Sequence, residues 1–168
     1  MISAEINNTI TKIWNLLEEV NDPEVPVLSI LDLGIVRDVR PLPASPGGGE
    51  IGTEIIITPT YSGCPAMDAI SMDIKMKLLE HGYKNFKITL TLSPAWTTDW
   101  MTENGKQKLQ EYGIAPPKKM NDLSNTNPDC PQCKSNNTKL LSQFGSTACK
   151  ALYQCQDCKE PFDYFKCH

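Results

Sequence analysis

Cys130-Pro131-Gln132-Cys133 is followed, after 21 intervening residues, by Cys155-Gln156-Asp157-Cys158. Two residues between paired thiols let both sulfurs reach one ion from a tight turn, and two such turns complete a tetrahedral four-sulfur shell. Four thiolates leave no position for a substrate, so the expected metal is a structural zinc in a ribbon. Metal binding of roughly 10–16 kcal/mol then substitutes for a core too small to fold by itself. Cys149, Cys167 and His168 lie close by in sequence as substitute ligands or parts of a second site, although small buried thiols packed in a ribbon are the commoner role.

The seventh cysteine, Cys64, stands apart in Thr60-Tyr61-Ser62-Gly63-Cys64-Pro65, after a strand pattern and at the head of a helix that opens on proline. The positive end of a helix suits the thiolate, the form that ligates metals or attacks electrophiles. The plainer reading is a small core residue. Asp22-Pro23-Glu24 and Asp32-Leu33-Gly34 put three carboxylates in loops around the first strand. Turn chemistry accounts for them. In the functional alternative, Asp22 or Glu24 supplies an oxygen ligand or base beside Cys64.

No residue is assigned a catalytic role. Gly47, Gly49 and Gly52 match a G-x-G-x-x-G string but precede a strand and open no helix, so the dinucleotide context is missing. His81 falls at a helix C-terminus, where contact with the dipole explains it. Trp96 and Trp100 read as lids on a core, since no basic residues interleave them for base stacking.

Composition narrows the class. The 168 residues are 40% hydrophobic and 21% charged, which supports packed domains. The net charge is -4, made of -6 over residues 1–117 and +1 over each of 118–128 and 129–168, so no segment offers a basic surface for nucleic acid. The longest aliphatic run is Ile55-Ile56-Ile57, and the opening residues lack a basic segment followed by an apolar one, so neither a membrane span nor a secretory signal is expected. The expected compartment is cytoplasmic, where thiols serve metals or chemistry rather than disulfides.

The elements that must carry these residues follow from periodicity. Ile10, Ile13, Trp14, Leu17 and Val20 recur at helical steps behind a cap at Asn8 or Thr9, and Asn21-Asp22-Pro23 ends that helix. Gly34 to Arg40 and Ile51 to Thr58 predict a hairpin around the Pro/Gly-rich loop Pro41 to Gly49. A second helix carries Met67, Ile70, Ile74 and Leu78 and stops at Gly82. Phe86, Ile88, Leu90 and Leu92 alternate with Lys87, Thr89 and Thr91 as a half-buried strand, and a last helix runs from a cap at Thr97 or Thr98 to Tyr112. The expected fold is a small α/β (α+β) sandwich in the order α-β-β-α-β-α over residues 1–115, an exposed linker over 116–128, and a zinc ribbon over 129–168.

The string from Asp22-Pro23-Glu24-Val25-Pro26 to Asp32-Leu33-Gly34-Ile35-Val36, with Thr60-x-x-Gly63-Cys64-Pro65, resembles the iron–sulfur assembly family related to SufT and the eukaryotic cytosolic targeting factors. Ser93-Pro94-Ala95-Trp96-Thr97-Thr98-Asp99-Trp100 and the ending Glu160-Pro161-Phe162-Asp163-Tyr164-Phe165-Lys166-Cys167-His168 are similar to the phenylacetate-degradation branch that fuses this domain to a ribbon. The resemblance implies an accessory or maturation factor for the multicomponent phenylacetyl-CoA ring epoxidase, aiding assembly of its iron–sulfur or iron cofactors. It also implies partners among the reductase or oxygenase subunits, and a homodimer enters as a further reading. Carried over, Cys64 is the functional thiol for transient iron or an iron–sulfur cluster, with Asp22 and Glu24 beside it. Cys130, Cys133, Cys155 and Cys158 are the zinc ligands. The alternatives are a stoichiometric non-catalytic subunit of the epoxidase and a thiol redox protein, the latter weakened because Cys64 has no C-x-x-C partner.

Overall fold

An apolar stripe at Ile6, Ile10, Ile13 and Leu17 winds the first segment into α1 (Ile2–Glu18) in a computed structural model, which describes residues 2–43, 51–118 and 127–166. The helix therefore starts well before the Asn8 or Thr9 cap expected from sequence. Ile6 extends the stripe upstream, and the Thr11 hydroxyl donates to the Asn7 carbonyl inside the helix. The chain divides into two compact units, residues 1–96 and 97–168.

In the first unit, β1 (Val36–Leu42) and β2 (Gly52–Ile57) form the antiparallel hairpin. α2 (Ala66–Glu80) then carries the chain back to β3 (Phe86–Leu90), which pairs parallel with β2. A parallel pair needs such a crossover. The sheet order is β1-β2-β3, leaving β3 at an edge. Ile13, Leu17, Ile55, Ile57, Ile70, Ile74 and Leu78 are fully buried and form its core. The indole N–H of buried Trp96 donates to the Leu33 carbonyl at 2.8 Å, as a core lid should.

Two expectations change here. Leu90 and Leu92 are 53% and 58% exposed, because alternation marks an apolar face without showing that anything covers it, and an edge strand is covered least. The segment Thr97 to Tyr112 is two elements: a 3-10 turn (Thr98–Trp100) capped by the Thr97 hydroxyl, then α3 (Glu103–Glu111) capped by the Thr102 hydroxyl, which accepts from the Gly105 amide at 2.9 Å. Thr102 is a second cap signal inside what reads as one helix.

The second unit holds the 3-10 turn, α3 and a four-stranded sheet of β4 (Ile114–Ala115), β5 (Thr138–Ser142), β6 (Lys150–Cys155) and β7 (Pro161–Phe165), in the order β4-β7-β6-β5. The division falls after Trp96, ahead of the 115/116 boundary expected from sequence, and β4 pairs parallel with β7 in the ribbon sheet. Most of the expected linker, the tip of the Pro41 to Gly49 loop, and Cys167 and His168 lie outside the described residues. No helix among the described residues is long and apolar enough to cross a membrane.

Candidate functional site

Each cysteine pair of the ribbon is built by the same backbone turn. In the first, the Cys130 amide donates to the Ser135 carbonyl at 2.8 Å and the Lys134 amide to the Cys130 carbonyl at 2.9 Å, with Lys134 at φ 64°. In the second, the Cys155 amide donates to the Glu160 carbonyl at 3.0 Å, with Lys159 at φ 69°. Backbone amides also point at sulfur: Ser135 donates to Cys133, Cys158 and Asp157 to Cys155, and Glu160 to Cys158.

The four sulfurs converge. Cys130 and Cys158 are 3.7 Å apart, Cys133 and Cys155 are 3.5 Å apart, and all four lie within 4.8 Å of one another. A tetrahedron with metal–sulfur bonds of about 2.3 Å has edges of about 3.8 Å, so the donor set fits a tetrahedral thiophilic ion in size and in chemistry. Among the described residues, this is the one group of three or more His, Cys, Asp or Glu side chains close enough to share an ion.

Crowding four thiols sets their proton affinities against one another. Cys155 is lowered to about 7, first by the Cys158 amide, against the cost of burial. Cys158 is pushed up to about 12: the Glu160 amide pulls it down, but burial and the neighbouring sulfurs prevail. Cys133 also rises, since its bond with Cys155 and its desolvation outweigh the Ser135 amide. Adjacent thiolates are what such a cluster accommodates poorly, so its members ionise together only when one cation takes the place of their protons.

Cys130 and Cys155 are fully buried with Ala115 and Phe162, and Tyr153 and Tyr164 pack against them. Tyr153 stacks on Phe162 at 6.1 Å and meets Tyr164 edge-on at 5.7 Å. This small aromatic floor packs around two of the sulfurs, consistent with a metal substituting for core. The two turns are also strapped together. The Asp157 carboxylate accepts from the Ser135 hydroxyl and, at 2.8 Å, from the Asn137 side-chain amide, while the Gln156 amide donates to the Asn137 carbonyl at 2.8 Å. Those donors, Ser135 first, hold the Asp157 carboxyl below its usual range. Sequence reasoning missed Ser135, Asn137 and Asp157. Their one signal is an acidic residue between the second pair of cysteines and two amide or hydroxyl donors just after the first pair.

Cys149 is buried and stands outside the four-sulfur group, its sulfur 3.0 Å from the Thr147 hydroxyl. In the first unit, Gly63 takes φ 80° and turns the chain so that Cys64 sits half-buried at the head of α2. The Cys64 amide donates to the Tyr61 carbonyl at 3.3 Å, and the Met67 amide donates to the Cys64 carbonyl at 3.2 Å. Asp22 is buried, and its Oδ1 accepts from the Glu24 and Val25 amides at 2.8 Å each; Asp32 and Ser29 cap each other's amides reciprocally. Both aspartates therefore build the turns that lead into β1. Glu24 is half-buried in the first of them.

Comparison with known proteins gives each unit a family. Residues 10–82 match the model of the iron-sulfur cluster assembly proteins, and residues 114–166 match that of the PaaD zinc beta ribbon domain. The chain is 49% identical over 158 residues to a putative 1,2-phenylacetyl-CoA epoxidase subunit of Escherichia coli, covering 93% of this chain and 92% of that one. It is 35% identical over 109 residues to an Fe-S protein maturation auxiliary factor of Porphyromonas gingivalis, covering 64% of this chain and 97% of the relative. The crystal structure of a domain of unknown function, DUF59, from Bacillus anthracis superposes with a TM-score of 0.55 at 27% identity, covering 64% of this chain and 96% of that domain.

Proposed function

The chain belongs to the family of that Escherichia coli putative 1,2-phenylacetyl-CoA epoxidase subunit, and from that membership we propose that it is an accessory factor in aerobic phenylacetate breakdown. It assists assembly of the iron–sulfur or iron cofactors of the phenylacetyl-CoA ring epoxidase and docks on the reductase or oxygenase subunit. The observation that carries this reading is the placement of Cys64. Its thiol is half-buried, not sealed, on a glycine-turned loop at the head of α2, inside the segment that matches the iron–sulfur assembly family. A thiol in that position holds a thiophilic cargo on one side while leaving the other coordination positions to the recipient. In this reading Glu24 is the oxygen donor that works with Cys64, carried on the turn whose Glu24 and Val25 amides Asp22 holds.

The ribbon has a separate task. Cys130, Cys133, Cys155 and Cys158 hold zinc, which when bound closes a four-thiolate shell and contributes folding free energy. The strap from Ser135 and Asn137 to Asp157 keeps the two turns in register.

The test is Cys64→Ser, co-expressed with the epoxidase reductase. Iron and acid-labile sulfide in the purified reductase are expected to fall while the zinc content of the variant stays at one per chain; unchanged reductase iron overturns the reading. The relative named as an epoxidase component favours a second reading, a stoichiometric part of the active complex. Size exclusion of the reconstituted epoxidase separates the two: an assembly factor leaves the active complex, and a stoichiometric component co-elutes with it.

A further inference from the structure

The outer face of α2 repeats Asp68, Met72, Lys75 and Leu79 at steps of four, three and four, a stripe with the spacing of a helix–helix seam. All four are exposed. Met72 is 54% exposed, and together with Phe86, Ile88 and Leu90 of edge strand β3 it lines an open groove of about 540 Å³. An exposed methionine between two charges, beside the apolar residues of a sheet edge, is the kind of surface that a partner covers.

The charges on the stripe say what covers it. Asp68 and Lys75 are seven residues apart, about 10 Å along the helix, so they lie on one face yet do not reach each other. Neither has an ion-pair partner among the described residues. They are equidistant from the midpoint between Ser71 and Met72. A two-fold axis through that midpoint, with two copies of α2 crossing antiparallel, sets Asp68 of each copy against Lys75 of the other and buries Met72 at the centre. An isologous interface requires this kind of self-complementarity, and an opposite-charge pair flanking a methionine satisfies it twice over.

We propose that the groove between α2 and β3 is occupied by a second copy of this chain, packed through the Asp68–Met72–Lys75 stripe. Such a seam depends on neither the thiol chemistry of Cys64 nor the metal of the ribbon.

The experiment is sedimentation velocity of the full-length protein over a range of micromolar concentrations, with helical circular dichroism as the check on folding. The wild type is expected to sediment as a dimer. Asp68→Lys and Lys75→Asp each place two like-charged pairs across the axis and raise the dimer dissociation constant by at least about tenfold. The double exchange of Asp68→Lys with Lys75→Asp restores opposite pairs and recovers the dimer, a rescue that general destabilisation would not produce. A wild type that is monomeric throughout overturns the proposal, as does a dimer indifferent to either reversal or a double variant that stays monomeric. If the wild type is monomeric and Met72→Glu abolishes binding of an epoxidase component, the groove belongs to that component and not to a second copy.

Discussion

Lys134 and Lys159 are counterparts: each follows the second cysteine of its pair, each takes a positive φ (64° and 69°), and each turns its ammonium back to the carbonyl of the third residue upstream, Pro131 and Gln156. The left-handed conformation costs a residue with a Cβ about 1–2 kcal/mol, so glycine is the usual occupant. Lysine is accommodated there because its long side chain reaches back to that carbonyl and ties the turn closed.

Substitution separates these two contributions at Lys134. Lys134→Ala keeps the strained φ and loses the ammonium–carbonyl bond, so it is expected to lower stability by about 1 kcal/mol. Lys134→Gly loses the same bond but relieves the strain, and should come out near the wild type. Urea unfolding of metal-loaded protein reads the difference. Equal stability of the two variants would show that the backbone carries no strain there.

Much of the architecture is legible in the sequence, for reasons that can be named. The α-β-β-α-β-α order follows from stripes such as Ile70, Ile74 and Leu78, and the convergence of four sulfurs from the two C-x-x-C pairs, both of which are local patterns. What stays hidden depends on tertiary approach. The Asp157 strap joins residues from opposite turns, and ordinary polar spacing does not announce it. The exposure of Leu90 and Leu92 depends on β3 lying at an edge, which alternation cannot reveal. The break before α3 escapes a reading by caps, because Thr97 and Thr102 are both good ones and a single helix has room for only one.

Glu54 carries the acid limb of stability in the first unit. On β2 it faces Arg40 of β1 and Lys87 of β3 in direct register, and its carboxylate accepts from Thr89 at 2.6 Å and from Arg40 at 2.8 Å. These bonds, Thr89 first, hold it at about 2 in place of the ordinary 4.5. A lowered folded-state value means that the ionised group stabilises the fold above pH 4.5, and that this contribution fades as the pH falls toward 2. Glu54→Gln should therefore be less stable than the wild type at neutral pH, and the gap should close on acidification. Thermal melts across that window check it, and a gap independent of pH would show that the charge is not the cause.

The cysteines of the ribbon should divide sharply on substitution. Cys155→Ser removes a buried member of the four-sulfur group and is expected to abolish stoichiometric metal and unfold the ribbon, because the small floor around Phe162 cannot hold it. Cys149→Ala, buried but outside that group, should keep one metal per chain and cost on the order of 1 kcal/mol. Elemental analysis of purified protein decides the assignment. Loss of metal from the Cys149 variant would place that sulfur in the shell.

Asp157 tests whether the two turns are coupled through more than the metal. Its carboxylate is held by Ser135 and Asn137 from the opposite turn, and it sits between two cysteines without belonging to the four-sulfur group. Asp157→Ala leaves every sulfur in place but frees both donors, so the first turn can drift from the second while the ion is still bound. Groups that orient ligands in this way commonly change metal affinity by roughly 10–100-fold without altering stoichiometry. The variant is expected to purify with one metal per chain and to surrender it to a competing chelator at correspondingly lower chelator concentration. Asp157→Asn should be intermediate, since its carbonyl oxygen still accepts one of the two bonds. Release curves for both variants that overlay the wild type would show that the Asp157 bonds do not tune the hold on the ion.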